Sequence, residues 1–294
     1  MSHEKETRVL QKAAVKITLR EPQNKLIGLI QFLENFGTKE IHLLHAASKL
    51  TSKQNSDAEE KLGEIRIKAE NLGFSVQVHI IRGHVPTRIV EVAEAQKVDY
   101  LALHWMRKSV FRNALFGNID ADILRLSNLP VFIHNPGLFK TEVKLDQVMY
   151  ATDFKYTDAG VLPYLVDRRF KARKLYILHV GQRAPDPATE QVRRKRILDN
   201  LNHLARECSH AYDSVQVIET RGVVRKQIIK QATMLDVDLI VVGKSEKPDA
   251  MSQVVGSTAE ILPHKAGCSV FIIPVICSLP DADDITGSRK NETE

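Results

Sequence analysis

The sequence predicts an α/β protein: two tandem open, mainly parallel five-stranded sheets with helices on both faces, a Rossmann-like layout. Three observations carry this expectation. First, the chain repeats itself. Val98-Asp99-Tyr100-Leu101 resembles Val237-Asp238-Leu239-Ile240, 139 positions on. The same spacing relates Arg82-Gly83 to Arg221-Gly222, Gly117 to Gly256, and Val131-Phe132-Ile133 to Val270-Phe271-Ile272. One register held over ~50 residues without a gap marks two copies of one unit. Ile41-His42-Leu43-Leu44-His45 matches Leu175-Tyr176-Ile177-Leu178-His179 at a spacing of 134, so one copy carries a small insertion, which a surface loop absorbs. Second, short apolar runs alternate with stretches of helical spacing, the pattern of βαβ units on a parallel sheet. Third, runs such as Leu239-Ile240-Val241-Val242 are apolar at every position, as strands covered on both faces are.

In the first copy the strand candidates are 15–19, 41–46, 75–80, 100–103 and 131–134. Pro22 opens the first helix, where its missing N–H costs nothing. The second copy begins with a strand at 147–152 and a helix at 157–170 carrying Val161, Leu162 and Leu165 at helical spacing. A strand at 174–180 leads to a long helix at 190–211, with Val192, Ile197, Leu201 and Leu204 on its apolar side. A strand at 214–219, a helix at 223–235 and a strand at 238–243 follow. A helix starting at Ser257 and a closing strand at 269–274 complete the unit. Segment 134–144, with Pro136 and Gly137, is the natural linker, which divides the chain into domains 1–140 and 141–279. From about Ser278 the chain turns polar and acidic through Asp281, Asp283 and Asp284, so residues 280–294 are expected to be a disordered tail.

Bulk composition narrows the class. A length of 294 residues with 43% hydrophobic content can bury a sizeable core in one large domain or two ordinary ones. The net charge of +6 permits acidic ligands or partners without naming one. The opening residues Met1 to Gln11 are polar and charged, unlike a signal peptide, and no run approaches the apolar length of a membrane span. Cys208, Cys268 and Cys277 show no paired spacing; they read as small buried apolar residues in a reducing cytoplasm.

Open α/β sheets bind ligands beyond the carboxyl ends of their strands, at the topological switch point. In the second copy that brings together Thr152-Asp153-Phe154, His179-Val180, and Gly243 with the loop ending Val255-Gly256-Ser257-Thr258. Ser257-Thr258-Ala259-Glu260 is a capping box ahead of Ile261-Leu262, with Ser257 expected at the cap. Gly256 lets the backbone turn freely before it. A helix start offers unpaired N–H groups and partial positive charge, which suit a phosphate, although a plain capped helix has the same sequence. Asp153 could accept hydrogen bonds from an adenine or a ribose; equally, it could be a turn or capping aspartate before Tyr156-Thr157.

On these residues the chain resembles the universal stress protein family. The matching features are the strand ending in Asp (Val148 to Phe154), the strand Leu178-His179-Val180, the apolar closing strand Val270 to Ile273, and the pattern G-x2-G-x9-G-S/T. In that pattern Gly243 and Gly256-Ser257 stand at the family's spacing, and Glu246 replaces the middle glycine. The resemblance runs over both copies, Val15 to Pro274. It implies that Asp153 contacts adenine or ribose, Val180 lines the adenine pocket, Gly243 allows close backbone approach, and Gly256, Ser257 and Thr258 hold phosphates. Glu246 adds a Cβ and a carboxylate near a phosphate; like charges at an effective dielectric of ~20 can repel by a few kcal/mol. Either Lys244 or Lys247 would offset it.

The first copy departs further, with His104 for Gly243, Arg107 for Glu246, Asn118 for Ser257, and no carboxylate for Asp153 beyond Glu21, one place late. Its pocket is expected to be degenerate, with Trp105, Met106, Val110 and Phe111 packing as core. Other chemistries fit poorly. Gly243-Lys244-Ser245 ends like a Walker A motif but lacks its first glycine, and it lacks the closing glycine of a hydrolase elbow. There is no zinc-binding H-E-x-x-H or C-x-x-C pattern. The basic clusters Arg168-Arg169 and Arg193-Arg194-Lys195-Arg196 sit on expected helices without interleaved aromatics, so they read as solvated faces rather than a nucleic-acid surface. The resulting expectation is a tandem stress-response protein of the cytoplasm, with ATP or AMP in the second domain only. The copies are expected to pair as an intramolecular pseudo-dimer, with a homodimer open, and no membrane or metal partner is expected. No nucleophile or base is positioned for catalysis, beyond slow ATP hydrolysis or phosphotransfer. The competing reading is a nucleotide-free scaffold or regulatory partner-binding protein.

Overall fold

In the first copy β1 (Lys12–Lys16), β2 (Glu40–Ala47), β3 (Ser75–Arg82), β4 (Tyr100–His104) and β5 (Val131–His134) alternate with α1 (Gln23–Phe32), α2 (Ser52–Asn71), α3 (Val85–Ala95) and α4 (Ile119–Leu126). The second copy repeats the order with β6 (Gln147–Thr152), β7 (Lys174–Gly181), β8 (Ser214–Arg221), β9 (Leu239–Ser245) and β10 (Ser269–Val275). Its helices are α5 (Thr157–Val166), α6 (Pro187–Cys208), α7 (Val224–Met234) and α8 (Ser257–Lys265). The structure is a computed structural model, and it describes residues 10–104, 119–135, 145–154, 157–167, 169–182, 186–245 and 257–275.

Within each copy all neighbouring strands are parallel, as the unbroken apolar runs require. The two five-stranded units then run on into one ten-stranded sheet, β3-β2-β1-β4-β5-β10-β9-β6-β7-β8. The joint is the single antiparallel pair, with Val270 opposite Ile133, Phe271 opposite Phe132 and Ile272 opposite Val131. Phe132 and Phe271 hold the same place in the repeat and lie opposite each other. The copies are therefore related by a pseudo-two-fold axis, and the chain is its own pseudo-dimer.

Alternation along each strand sends side chains to two faces. One core holds Val15, Leu43, Tyr150 and Ile177 under α1, α2, α5 and α6. The other holds Ala14, Leu44, Met149 and Leu178 under α3, α4, α7 and α8. Around the joint the first core becomes aromatic. Phe36 meets Phe170 edge-on at 5.5 Å and Phe271 at 5.3 Å, so a residue of the first copy is a wedge in the second. Polar ties add to it: the Asn35 carbonyl accepts from Lys171 N–H at 2.9 Å, and the Asn135 side chain donates to Ala266 O at 3.0 Å. Each buried Phe or Leu stabilises such a core by roughly 1.5–3 kcal/mol.

Several element limits move for local reasons. β1 starts at Lys12 and ends at Lys16, three residues ahead of the expected 15–19, because Leu19 turns into the left-handed region at φ 62°. α6 begins at Pro187, where Asp186 caps it by accepting from Thr189 N–H at 2.9 Å, and it ends at Cys208. Val192 does not belong to its apolar side: it is 71% exposed, whereas Ile197 and Leu201 are buried. Five residues separate Val192 from Ile197, roughly 140° around a helix. α5 stops at Val166, short of 170. The backbone specials repeat with the fold: Gly83 and Gly222 have φ 132° and 124°, Lys97 and Asp236 have 50° and 51°, and Leu19 and Phe154 have 62° and 57°.

Candidate functional site

β6 lies between β7 and β9, with Ala151 beside Leu178 on one side and Val242 on the other. The chain leaves β6 towards β7, and β9 returns on the opposite side, so the switch point of the second copy falls between β6 and β9. Asp153, Val180 and Gly243 thus meet at one edge of the sheet. β9 and β10 are parallel, so the connecting α8 must start at that same edge. Ser257 and the half-buried Thr258 are its first two residues. Gly256 and Glu246, like Arg107, Gly117 and Asn118 in the first copy, lie outside the described residues.

The Asp153 turn is held from beneath. Asp158, in the first turn of α5, accepts from Thr152 Oγ1 at 2.6 Å and from the Tyr150 hydroxyl. Thr152 Oγ1 in turn accepts the Phe154 N–H at 2.9 Å. Phe154, in the left-handed region, stacks its ring on His179 at 4.4 Å between centroids. His179 Nδ1 donates to the Thr152 carbonyl at 3.1 Å. This network leaves Asp153 exposed at the strand end and Val180 half-buried beside it. The described residues of this edge present one carboxylate, one apolar side chain and a helix start.

The equivalent edge of the first copy carries different side chains. Ala13 lies beside Tyr100 as Val148 lies beside Leu239, so Thr18 takes the place of Asp153 and Lys16 that of Ala151. Glu21 is therefore three places late in register, not one. Its carboxylate nevertheless folds back to accept Thr18 N–H, at 3.1 and 3.0 Å to its two oxygens, and it is buried. Lys16 donates to Asp120 in the first turn of α4, and both side chains are buried. The matching helix position in the second copy is Ala259. A carboxylate thus lies in the first turn of this helix, and an ammonium pairs with it. His104 and His134, beside each other on β4 and β5, replace Gly243 and Ile273. His104 is 4% exposed, and among the described residues neither of its ring nitrogens has a hydrogen-bond partner. Burial lowers its pKa, and burial with the neighbouring His104 pushes His134 down to about 3.

Reading the sequence missed Lys16 and Asp120, although a signal was present. A lysine inside Ala13-Ala14-Val15-Lys16-Ile17 sits in a buried run and demands a partner. It missed Asp158 for want of any such signal. The Nζ of Lys244, considered above as a counter-charge to Glu246, donates to Leu124 O at 2.9 Å, Arg125 O at 3.2 Å and Ser127 O at 3.4 Å in the first copy. Cys208 and Cys268 are buried, and burial pushes both thiols up to about 12, far from a reactive thiolate; Cys277 lies outside the described residues. No His, Cys, Asp or Glu cluster suited to a metal, and no helix long and apolar enough to cross a membrane, occurs among the described residues.

Comparison with known proteins agrees with the repeat. The family model described as the universal stress protein family matches twice, at residues 2–134 and 144–274. A universal stress protein of Methanocaldococcus jannaschii is 28% identical over 86 residues, 29% of this chain and 53% of that protein. One from Synechocystis is 27% identical over 103 residues, 35% of this chain and 36% of that protein. The chain thus spans about half the length of the first of these curated relatives and about a third of the second. Among solved structures, a universal stress protein from Archaeoglobus fulgidus superposes with a TM-score of 0.67 at 21% identity, covering 90% of this chain and 98% of that one. A protein from Pseudomonas aeruginosa reaches 0.70 at 16% identity, covering 92% and 95%. These two share the fold. The chain belongs to the universal stress protein family, as two copies in tandem.

Proposed function

We propose that this tandem universal stress protein holds one adenine nucleotide, ATP or AMP, in its second copy, and that the first copy holds none. The observation that carries the reading is the difference at the switch point. In the second copy an exposed Asp153, half-buried Val180 and Gly243 and the start of α8 converge on one edge. In the first, the corresponding edge is filled by the Lys16–Asp120 pair, Glu21 and two histidines. Asp153 would accept from the adenine or ribose, Val180 would line the base, and the backbone at Gly243, Gly256, Ser257 and Thr258 would receive the phosphates. The role proposed is a nucleotide-linked stress response rather than metabolic turnover.

A nucleotide-free regulatory scaffold is the second reading, favoured by Glu246 in the family's glycine position. Mass spectrometry of ligand released from the purified protein, followed by calorimetry with ATP and AMP, separates the two. One site per chain supports binding in the second copy. Two equal sites overturn the assignment of a single copy, and no site leaves the scaffold.

A further inference from the structure

We infer that Lys244 is a positioning residue through which the first copy orients the nucleotide edge of the second; the inference rests on the nucleotide reading above. Lys244 follows Gly243 directly, one residue before β9 ends at Ser245. Its side chain lies on the face that α4 covers, and it is 6% exposed. The ammonium reaches the end of α4 in the other copy, where Leu124, Arg125 and Ser127 offer carbonyls at 2.9, 3.2 and 3.4 Å. The last carbonyls of a helix have no partner within it and carry partial negative charge. A lysine brings three donors to three such acceptors. A buried ammonium is costly to leave unmatched, so the contact fixes where β9 ends.

The other end of α4 is held as well. Asp120, in its first turn, is paired with Lys16 of β1. The helix is therefore gripped at its start by a lysine from its own sheet half and at its end by a lysine from the other. The internal ion pair that closes the first site also makes α4 a rigid anchor for the second. A movement at Gly243 must either carry α4 with it or break the Lys244 contacts. By linkage, ligand binding at the second copy and order in α4 must then affect each other.

The test uses the full chain as wild type, Lys244→Met and Lys244→Arg. Hydrogen–deuterium exchange by mass spectrometry reads peptides spanning 119–134 with and without saturating ATP, and calorimetry reads ATP and AMP affinity. Lys244→Met is expected to speed exchange in that segment without ligand and to weaken nucleotide binding about tenfold, some 1.4 kcal/mol. Lys244→Arg should restore much of both. ATP should protect 119–134 in wild type and in Lys244→Arg but not in Lys244→Met, a response that packing alone would not produce. Unchanged exchange in Lys244→Met overturns the clamp. Altered exchange with unchanged affinity overturns the positioning role. If wild type binds no nucleotide while exchange still rises in Lys244→Met, the nucleotide reading and the positioning role both fall, and the contact is structural only. If Lys244→Met does not fold, Lys244→Arg decides: wild-type exchange, affinity and ATP protection support the clamp, and loss of the ATP protection overturns it.

Discussion

The carboxyl edges of β1 and β6 are the same place in two copies of one fold, and they have been filled differently. At β6 the strand ends in an exposed Asp153, with Ala151 and Ala259 offering only methyl groups beneath. At β1 the corresponding positions are Thr18, Lys16 and Asp120, and the last two form a buried ion pair. A parallel sheet with helices starting over its carboxyl edge leaves unpaired N–H groups there in every copy. Those groups must meet water, a ligand or the chain itself. In the first copy a buried carboxylate, Asp120, lies in that first turn, and in the second copy the matching residue is Ala259. The same edge of one backbone can therefore differ between copies by a few side chains.

The strongest way to break this comparison is to unpair the first copy. Lys16→Ala removes the ammonium paired with the buried Asp120 and is expected to cost about 3–5 kcal/mol. Lys16→Ala with Asp120→Ala, which installs the residues of the second copy, should recover much of that loss. Urea denaturation of the two variants reads both. A single variant within ~1 kcal/mol of wild type would mean that the pair is not what closes the site.

Acid should find the first copy before the second. Burial holds His104 and His134 below the ordinary histidine range, with His134 at about 3. Both are neutral when folded and take up protons once unfolded, so the unfolded state binds more protons as pH falls below the unfolded histidine value. Stability should be intact above pH ~6.5 and fall below it, by up to ~1.4 kcal/mol per unit for each histidine. The loss due to His134 should continue towards pH 3. His134→Ile, the residue found at the matching Ile273, should flatten the slope measured by denaturation between pH 7 and pH 5. An unchanged slope would remove His134 from the account.

A third comparison sharpens the ligand assignment. Asp153→Ala should weaken nucleotide binding by ~1.5–3 kcal/mol, the worth of a hydrogen bond to a charged group. Thr18→Ala at the matching position should leave the same calorimetric titration unchanged. The smallest effect expected is at Glu246. Glu246→Gly should strengthen ATP binding by about 1 kcal/mol, and AMP binding by less, because repulsion grows with phosphate charge. Equal gains for both nucleotides would point to relief of the Cβ rather than of the charge.

Local pattern was enough for much of this. The repeat spacing, the alternation of apolar runs with helical spacing, and the strand end before Asp153 are readable because each depends on neighbours within a few residues, whereas β9 runs two residues past the expected Gly243, to Ser245. The same locality explains the misreading of Val192, where one apolar residue near a helix start was counted on a face it misses by part of a turn. It also explains Glu21, whose register followed from strand pairing and not from counting along the chain. The features that distinguish the two copies are of another kind. Lys16 meets Asp120 across 104 residues, and Lys244 meets Leu124 across 120. Phe36 reaches Phe271 only because β5 and β10 pair antiparallel. Sequence spacing carries no record of which distant groups the strand order brings within 3 Å, and a buried charge takes its meaning from that partner alone.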